Sequence, residues 1–435
     1  MSRLPEAIPA LSDTLMPPAI RGVADLTTFA YGGNGFDRLM DRIRPDGTEA
    51  GTLFDLGIAL QLDFRRAEGL RLQDAALARS LLFRVQRTAS GGRPVRLLAV
   101  CGAGDLMVNA PLDFLTNHLD VRLDLLHVLP NRPLPPVVPD HDVAFFAHGD
   151  PDGAMLARLA ALYRAWPRPV LNDPAFLPAL ARDALSRSLA GIASIRSPET
   201  VAVTRPALEA YLASGDPIDG FVSTGTMFPC LVRPAGTHAG HGLALLSDQE
   251  SLVRYLETSD ADRFYMSVFV DYADGRGLYR KSRVAFIDRR PFLCHMAVSS
   301  HWMVHYLNAG MDVSAEKRAE EAAAMAEFDS GFARRHAAAF DALHERLGFD
   351  FYSIDCAETP DGRLLVFEAD AGAIIHMMDP LDRFAYKQPR MRRIFEAFDA
   401  LLRRRMEAPL TLQPLALQPL ALPLLTSPLL TSPLL

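Results

Sequence analysis

Lysine is almost missing from this chain. It stands only at Lys281, Lys317 and Lys387, so 42 of the 45 basic residues are arginine. Cysteine is also scarce. Cys101, Cys230, Cys294 and Cys356 are scattered and form no CxxC pair, which argues against a disulfide scaffold or a zinc knuckle. No run of about 18 apolar residues is free of proline or charge, so no membrane span is expected. The first 22 residues lack the basic start and unbroken apolar core of a signal peptide, and a cytoplasmic location is the expectation. There is no excess of positive charge either. The net charge of -7 argues against general nucleic-acid binding. What remains is a soluble, globular composition, 49% hydrophobic and 22% charged, with room in 435 residues for two or three domains.

Four textures follow one another. Residues 1–94 open with Pro- and Gly-rich sequence. From Leu53 to Gln86 apolar residues recur at three- and four-residue spacing, which predicts a helical N-terminal module with a break near Gly69. At Val95 short apolar runs (VRLLAVC, LDLLHVLP, DVAFFAHGD, PVLND) begin to alternate with helical stretches. This predicts a small parallel α/β unit over 95–175. Cys101-Gly102-Ala103-Gly104 reads there as a tight turn. Residues 176–405 mix strands and helices. From Pro409 a five-residue near-repeat with regular prolines forbids helix and central strand, so 406–435 is expected to be a disordered tail.

The densest chemical signal is Phe349 to His376. Two apolar runs flank the turn Pro360-Asp361-Gly362 and predict an antiparallel hairpin centred near positions 361 and 362. On that register Asp355 lies across from Glu368, with Asp370 two residues further on the same face. Like charges directly opposed destabilise a sheet, which calls for a cation. Magnesium suits a few carboxylates beside phosphate oxygens. An acidic, solvated hairpin edge is the plain alternative.

Two further segments carry charge or glycine where chemistry needs it. In PCLVRPAGTHAGHGLALL a strand delivers Arg233 to a loop with Gly236, Thr237, Gly240 and Gly242. Glycines let backbone N–H groups close on an anion, and a cation at the strand end suits a phosphate. Further on, Arg280 and Lys281 lead into the strand SRVAFID. Lys281 and Arg283, two apart, share one of its faces and suit a transferring phosphoryl group. A strand edge guarded by charge is the alternative. His295, His301 and His305 follow. Their spacing fits no standard zinc set, which leaves substrate hydrogen bonding, a general base or structural roles.

The order of these pieces resembles the ATP-grasp superfamily, nearest its peptide-ligase and glutathione-synthetase-like branches, over about residues 95–405. The resemblance implies an α+β ATP-grasp fold preceded by a small parallel α/β (pre-ATP-grasp) domain, here with the helical N-terminal module in front. It implies an ATP- and Mg2+-dependent carboxylate–amine ligase working through an acyl phosphate. By position, Asp355, Glu368 and Asp370 match the ligands of two Mg2+ ions, and Arg283, with Lys281 beside it, the catalytic cations. Arg233 and Arg187 match the nucleotide cations, with Ala184 an equal candidate for the latter position. Gly236, Thr237, Gly240 and Gly242 match the phosphate loop, and Phe269 closes the adenine hinge that begins at Phe264. His295, His301, His305 and Arg280 are the tentative substrate residues.

The chain departs from the family pattern at three points. The two nucleotide lysines are not lysines, Asp370 stands where asparagine is usual, and the hinge lacks its acidic residue. Carboxylate and amine substrates are the implied partners, and the N-terminal module suggests a peptide or protein as one of them. No nucleic acid or membrane partner is expected, and a homodimer is left open. A small-molecule kinase of the same fold and a non-catalytic nucleotide-binding protein are the competing readings.

Overall fold

The computed structural model describes residues 7–43, 49–87, 92–221, 227–237 and 240–408. The expected tail therefore lies outside the described residues from 409 onward. The first sheet has six strands in the order Ala19–Ile20, Leu82–Val85, Val121–His127, Val95–Cys101, Val143–Phe146, Val170–Leu171. All neighbours are parallel except Leu82–Val85 against Val121–His127. Val95–Cys101 is central because it is apolar on both faces, as a strand covered from both sides must be.

Residues 1–94 do not form a separate helical module. They contribute the two strands at one edge of this sheet, and the helices Ala50–Leu62 and Arg66–Arg79 link those strands. Leu81, Leu82 and Val85 were read as a continuation of the helix. Four residues are too few to separate a helical period from a strand, and tertiary pairing decides. The helix break falls at Asp63–Arg65, where Phe64 has a φ of 60°. Gly69 sits inside the second helix. A Cβ there would lie 2.5 Å from the carbonyl oxygen of Gly57, so the two glycines let the helices cross at backbone distance.

Buried polar groups in this unit carry a pH dependence. His141 is buried, with Nε2 accepting from Trp166 Nε1 at 2.9 Å and Nδ1 on Pro139 O at 2.9 Å, so the neutral ring is the satisfied one. Burial pushes both His127 and His141 down to about 4. The unfolded chain binds these protons near pH 6.5, so stability is present above that pH and is lost as pH falls toward 4. The loss is on the order of 3 kcal/mol per histidine. Asp55, which accepts from the Arg21 and Gly22 amides, is pushed up to about 6 by burial. It acts in the opposite direction between the unfolded carboxylate range and pH 6, offsetting about one histidine. Urea midpoints should therefore fall between pH 7 and pH 4.5. A flat profile would show that the histidines are not held neutral.

A five-stranded sheet follows, ordered Arg290–Ser299, Tyr279–Ile287, Phe351–Glu358, Leu364–Asp370, Ile195–Arg196. Asn172 joins it to the first unit. Its Nδ2 donates to Phe351 O at 2.7 Å, and its Oδ1 accepts from Phe351 N at 2.8 Å. The last helix, Gln388–Glu407, seals the joint. Met391, Ile394, Phe395, Phe398, Leu401 and Leu402 form its buried stripe, and Phe398 packs on both Phe145 and Phe351. An antiparallel four-stranded sheet has its own core, in the order Thr200–Thr204, Arg263–Val268, Cys230–Pro234, Ala244–Leu246. The strands expected over 263–271 and 279–297 appear as Arg263–Val268 and as the hairpin Tyr279–Ile287 with Arg290–Ser299. Among the described residues no helix is long and apolar enough to cross a membrane.

Candidate functional site: an arginine–carboxylate cleft

The acidic hairpin forms on the expected register. Phe351–Glu358 pairs with Leu364–Asp370, setting Asp355 opposite Glu368 and Ser353 opposite Asp370. A bulge beside Asp355 leaves Phe367 unpaired. The next strand places Arg283 opposite Asp355 and, on its other side, opposite His295. One row across the sheet thus reads His295, Arg283, Asp355, Glu368.

The charges in this row already have partners. Arg283 Nε donates to Asp355 Oδ1 at 2.8 Å and its Nη2 to Oδ2 at 3.2 Å, while Lys281 Nζ lies 2.8 Å from Oδ2. Asp355 is 3% exposed. Burial alone would raise its pKa, but Lys281 and Arg283 hold it far below the carboxylate range. Glu368 accepts from the Arg182 guanidinium. Asp370 accepts from Gly372 N at 2.6 Å. Burial raises its pKa, and the nearby charges of Glu368 and Asp355 add to the rise.

The three expected metal ligands, Asp355, Glu368 and Asp370, lie in one neighbourhood, and in this arrangement two of them are paired with basic side chains. With the side chains so placed, no three His, Cys, Asp or Glu among the described residues are grouped to hold a metal ion. Arg283 and Lys281 pair with Asp355 and Arg182 pairs with Glu368, while Asp370 has no hydrogen bond or ion pair to a basic side chain among the described residues. In this arrangement the cations facing the opposed carboxylates come from the chain itself.

Arg187 is also displaced from its expected role. It is exposed and pairs with Asp183 on its own helix, Arg182–Leu189. Arg182, the first residue of that helix, is the one that reaches the hairpin. Five residues separate the two on the helix, so they do not share a face. No spacing rule pointed to Arg182, because its partner is 186 positions away.

Arg233 ends the strand Cys230–Pro234 and is nearly buried. It donates to the Thr237 carbonyl and to Thr237 Oγ1, and Thr237 Oγ1 donates to Pro234 O at 2.8 Å. These contacts shape the start of the glycine loop, where Gly236, Gly240 and Gly242 have φ of 74°, 75° and 68°. Such left-handed positions favour glycine. Burial first, then the positive charge of Arg182, pushes Arg233 down to about 10, while Glu368 acts to raise it. The end of the glycine-loop strand and the acidic hairpin therefore lie within electrostatic reach, although they belong to different sheets. Residues 238–239, at the centre of the loop, lie outside the described residues.

The remaining candidates separate. His295 is half-buried, its ring centroid 4.8 Å from that of Tyr306, and desolvation with Arg283 nearby depresses its pKa. Desolvation first, then Lys281 and Arg283, lower the pKa of His305, while Asp355 and Glu368 act to raise it. His301 is exposed, and its Nδ1 accepts from Met303 N in its own turn. Arg280 does not belong here. Strand alternation puts it on the reverse face, paired with Glu320 and Asp274. Phe269 is half-buried against Trp302, ring centroids 5.9 Å apart.

Sequence reasoning missed the support behind His295. Lys387 is buried, with Nζ 2.5 Å from Tyr306 Oη and 3.6 Å from Glu321 Oε1. Glu321, fully buried, also accepts from Tyr306 at 2.8 Å and Tyr386 at 2.5 Å. The scarcity of lysine was the available signal, because two of the three lysines lie around this cleft. The loop after Val95–Cys101 is a second omission. Asn109 holds the Gly102 amide at 2.7 Å, and Ala110 N approaches Gly372 beside Asp370.

The five-stranded sheet thus carries arginine and lysine paired with carboxylates, and Arg233 on the glycine-loop strand lies within electrostatic range of Arg182 and Glu368. The solved structures similar to this chain are ATP-grasp proteins. The D-alanine–D-alanine ligase of Bacillus anthracis, complexed with ATP, is 15% identical, with 72% of this chain and 99% of that one covered and a TM-score of 0.40. A RimK domain ATP-grasp protein from Sphaerobacter thermophilus is 18% identical over 70% and 99%, TM-score 0.37. The VanG D-Ala:D-Ser ligase of Enterococcus faecalis is 14% identical over 71% and 99%, TM-score 0.42. No family model matches the sequence, and no curated protein does. At TM-scores below 0.5 these likenesses carry no functional argument, which rests on the geometry above.

Proposed function

We propose that this chain is an ATP-dependent carboxylate–amine ligase of the ATP-grasp kind. One observation carries the reading. Arg233, at the end of the glycine-loop strand, shares an electrostatic environment with Arg182 and Glu368 of the hairpin neighbourhood, which also holds Lys281 and Arg283. Four cations and a loop of backbone amides around one cleft suit a polyphosphate.

In this reading Arg233 and the loop amides hold the nucleotide phosphates. Arg283 and Lys281, aimed by Asp355, stabilise the charge of the transferring phosphoryl group. A substrate carboxylate oxygen bonds to the γ-phosphorus as the bond to ADP breaks. An amine nitrogen then bonds to the acyl carbon, releasing phosphate and a proton. His305, whose pKa desolvation lowers, takes that proton in this reading. Asn109 and the loop before it border the acyl side. Asp355, Glu368 and Asp370 would hold the Mg2+ ions that the resemblance implies, which would neutralise phosphate charge when bound.

A second reading also has an observation behind it. Neutralisation of Asp355 and Glu368 within the chain suits a nucleotide-binding protein without turnover. The test is ADP release with ATP in standard magnesium buffer. A ligase forms ADP only when both a carboxylic acid and an amine are present. ADP formation with the acid alone would indicate a kinase. Tight ADP binding with no turnover on any acid–amine pair would favour the non-catalytic reading.

A further inference from the structure

We infer that the reverse face of the five-stranded sheet carries a second site, for a small amphipathic organic cation: an amine borne on an apolar body. A cavity of about 620 Å3 opens there, between the hairpin Tyr279–Ile287 with Arg290–Ser299 and the helix Ala315–Glu327. That volume lies within the range of small-molecule pockets, roughly 300–1,000 Å3. It is separate from the anion cleft. Arg280 and Ser282 line it, whereas Lys281 and Arg283, which alternate with them, point to the opposite face.

The chemistry of the lining selects the ligand. Leu293, Met296, Phe328 and Phe332 supply apolar surface. Four carboxylates, Asp274, Glu320, Glu327 and Glu358, face two guanidiniums, Arg280 and Arg335, and with Arg276 on Asp274 and His336 on Glu358 the carboxylate left over is Glu327. Neither arginine is available to an anion. Arg280 is held by Glu320 and Asp274, and Arg335 by Glu358. Among the described residues no ion pair or hydrogen bond engages the Glu327 carboxylate, which stands at the rim. The uncompensated charge is negative and sits beside hydrocarbon. A cationic head with an apolar tail satisfies both, and a charge-assisted hydrogen bond to the head separates it from a neutral analogue.

Calorimetric titration of the full chain with hexylamine and with hexan-1-ol tests this. The amine should bind about tenfold tighter than the alcohol. Glu327→Gln should erase most of that preference, and Ala323→Trp, on the exposed cavity side of the helix, should abolish amine binding by filling the space. Urea unfolding of both variants at pH 7 checks that the fold is intact, and its midpoint is expected to stay close to that of the unaltered chain whatever the chain does with ATP. Absent amine binding, equal affinity for the two probes, or binding that survives Ala323→Trp would each overturn the inference.

Discussion

Replacing Arg283 by methionine should lower ligase turnover by about 10²- to 10³-fold, the usual effect of deleting one preorganised donor to developing charge. The side chain is held in one direction by two hydrogen bonds to Asp355, so its charge is placed before substrate arrives. Methionine keeps the apolar stem and removes only the guanidinium. Stability should change less than activity, because Lys281 still neutralises Asp355 at 2.8 Å. Arg283→Lys should recover only part of the rate, since an ammonium cannot reproduce the bidentate fork. Steady-state ADP release checks this, with the loss expected in kcat rather than in the KM for ATP. Turnover within threefold of the unaltered protein would remove Arg283 from the chemistry.

The second large effect is on stability. Asp355→Ala should destabilise the fold by about 3–5 kcal/mol, because it leaves two part-buried cations facing each other without their shared carboxylate. The triple mutant Asp355→Leu with Lys281→Met and Arg283→Met should recover much of that loss, since replacing a whole buried ion cluster by apolar groups is often neutral. Urea unfolding at pH 7 measures both. Equal stability of Asp355→Ala and the unaltered chain would mean that the observed contacts contribute nothing. The two predictions are independent: the Arg283 change should act on rate with modest effect on the fold, whereas the Asp355 change acts on both.

The contrast between Arg187 and Arg182 explains where sequence reasoning reached and where it stopped. Arg187, with Ala184 as an equal candidate, is matched to a nucleotide cation only through the family resemblance, by its place in the helix before Ala190-Gly191-Ile192. Its actual neighbour is Asp183, one helical turn away. Arg182 has no local mark, and its role exists only because the helix start is brought against a strand nearly two hundred residues later. Arg280 failed for a different reason. It alternates with Lys281 and Arg283 along one strand and therefore faces the reverse side.

The local chain by itself determined the hairpin of 351–370, its register and the placing of Asp355 opposite Glu368, because a turn and a two-residue period suffice to define a pair of adjacent strands. It likewise determined the glycine loop and the apolar central strand at Val95–Cys101. Only the tertiary structure decided what neutralises the acidic row. Opposed carboxylates announce that a cation is required, and nothing in their own strands says whether it is a bound ion or an arginine from elsewhere. Here Lys281, Arg283 and Arg182 arrive from two other elements. Coulomb attraction across a buried sheet face acts through space and leaves no period in the sequence.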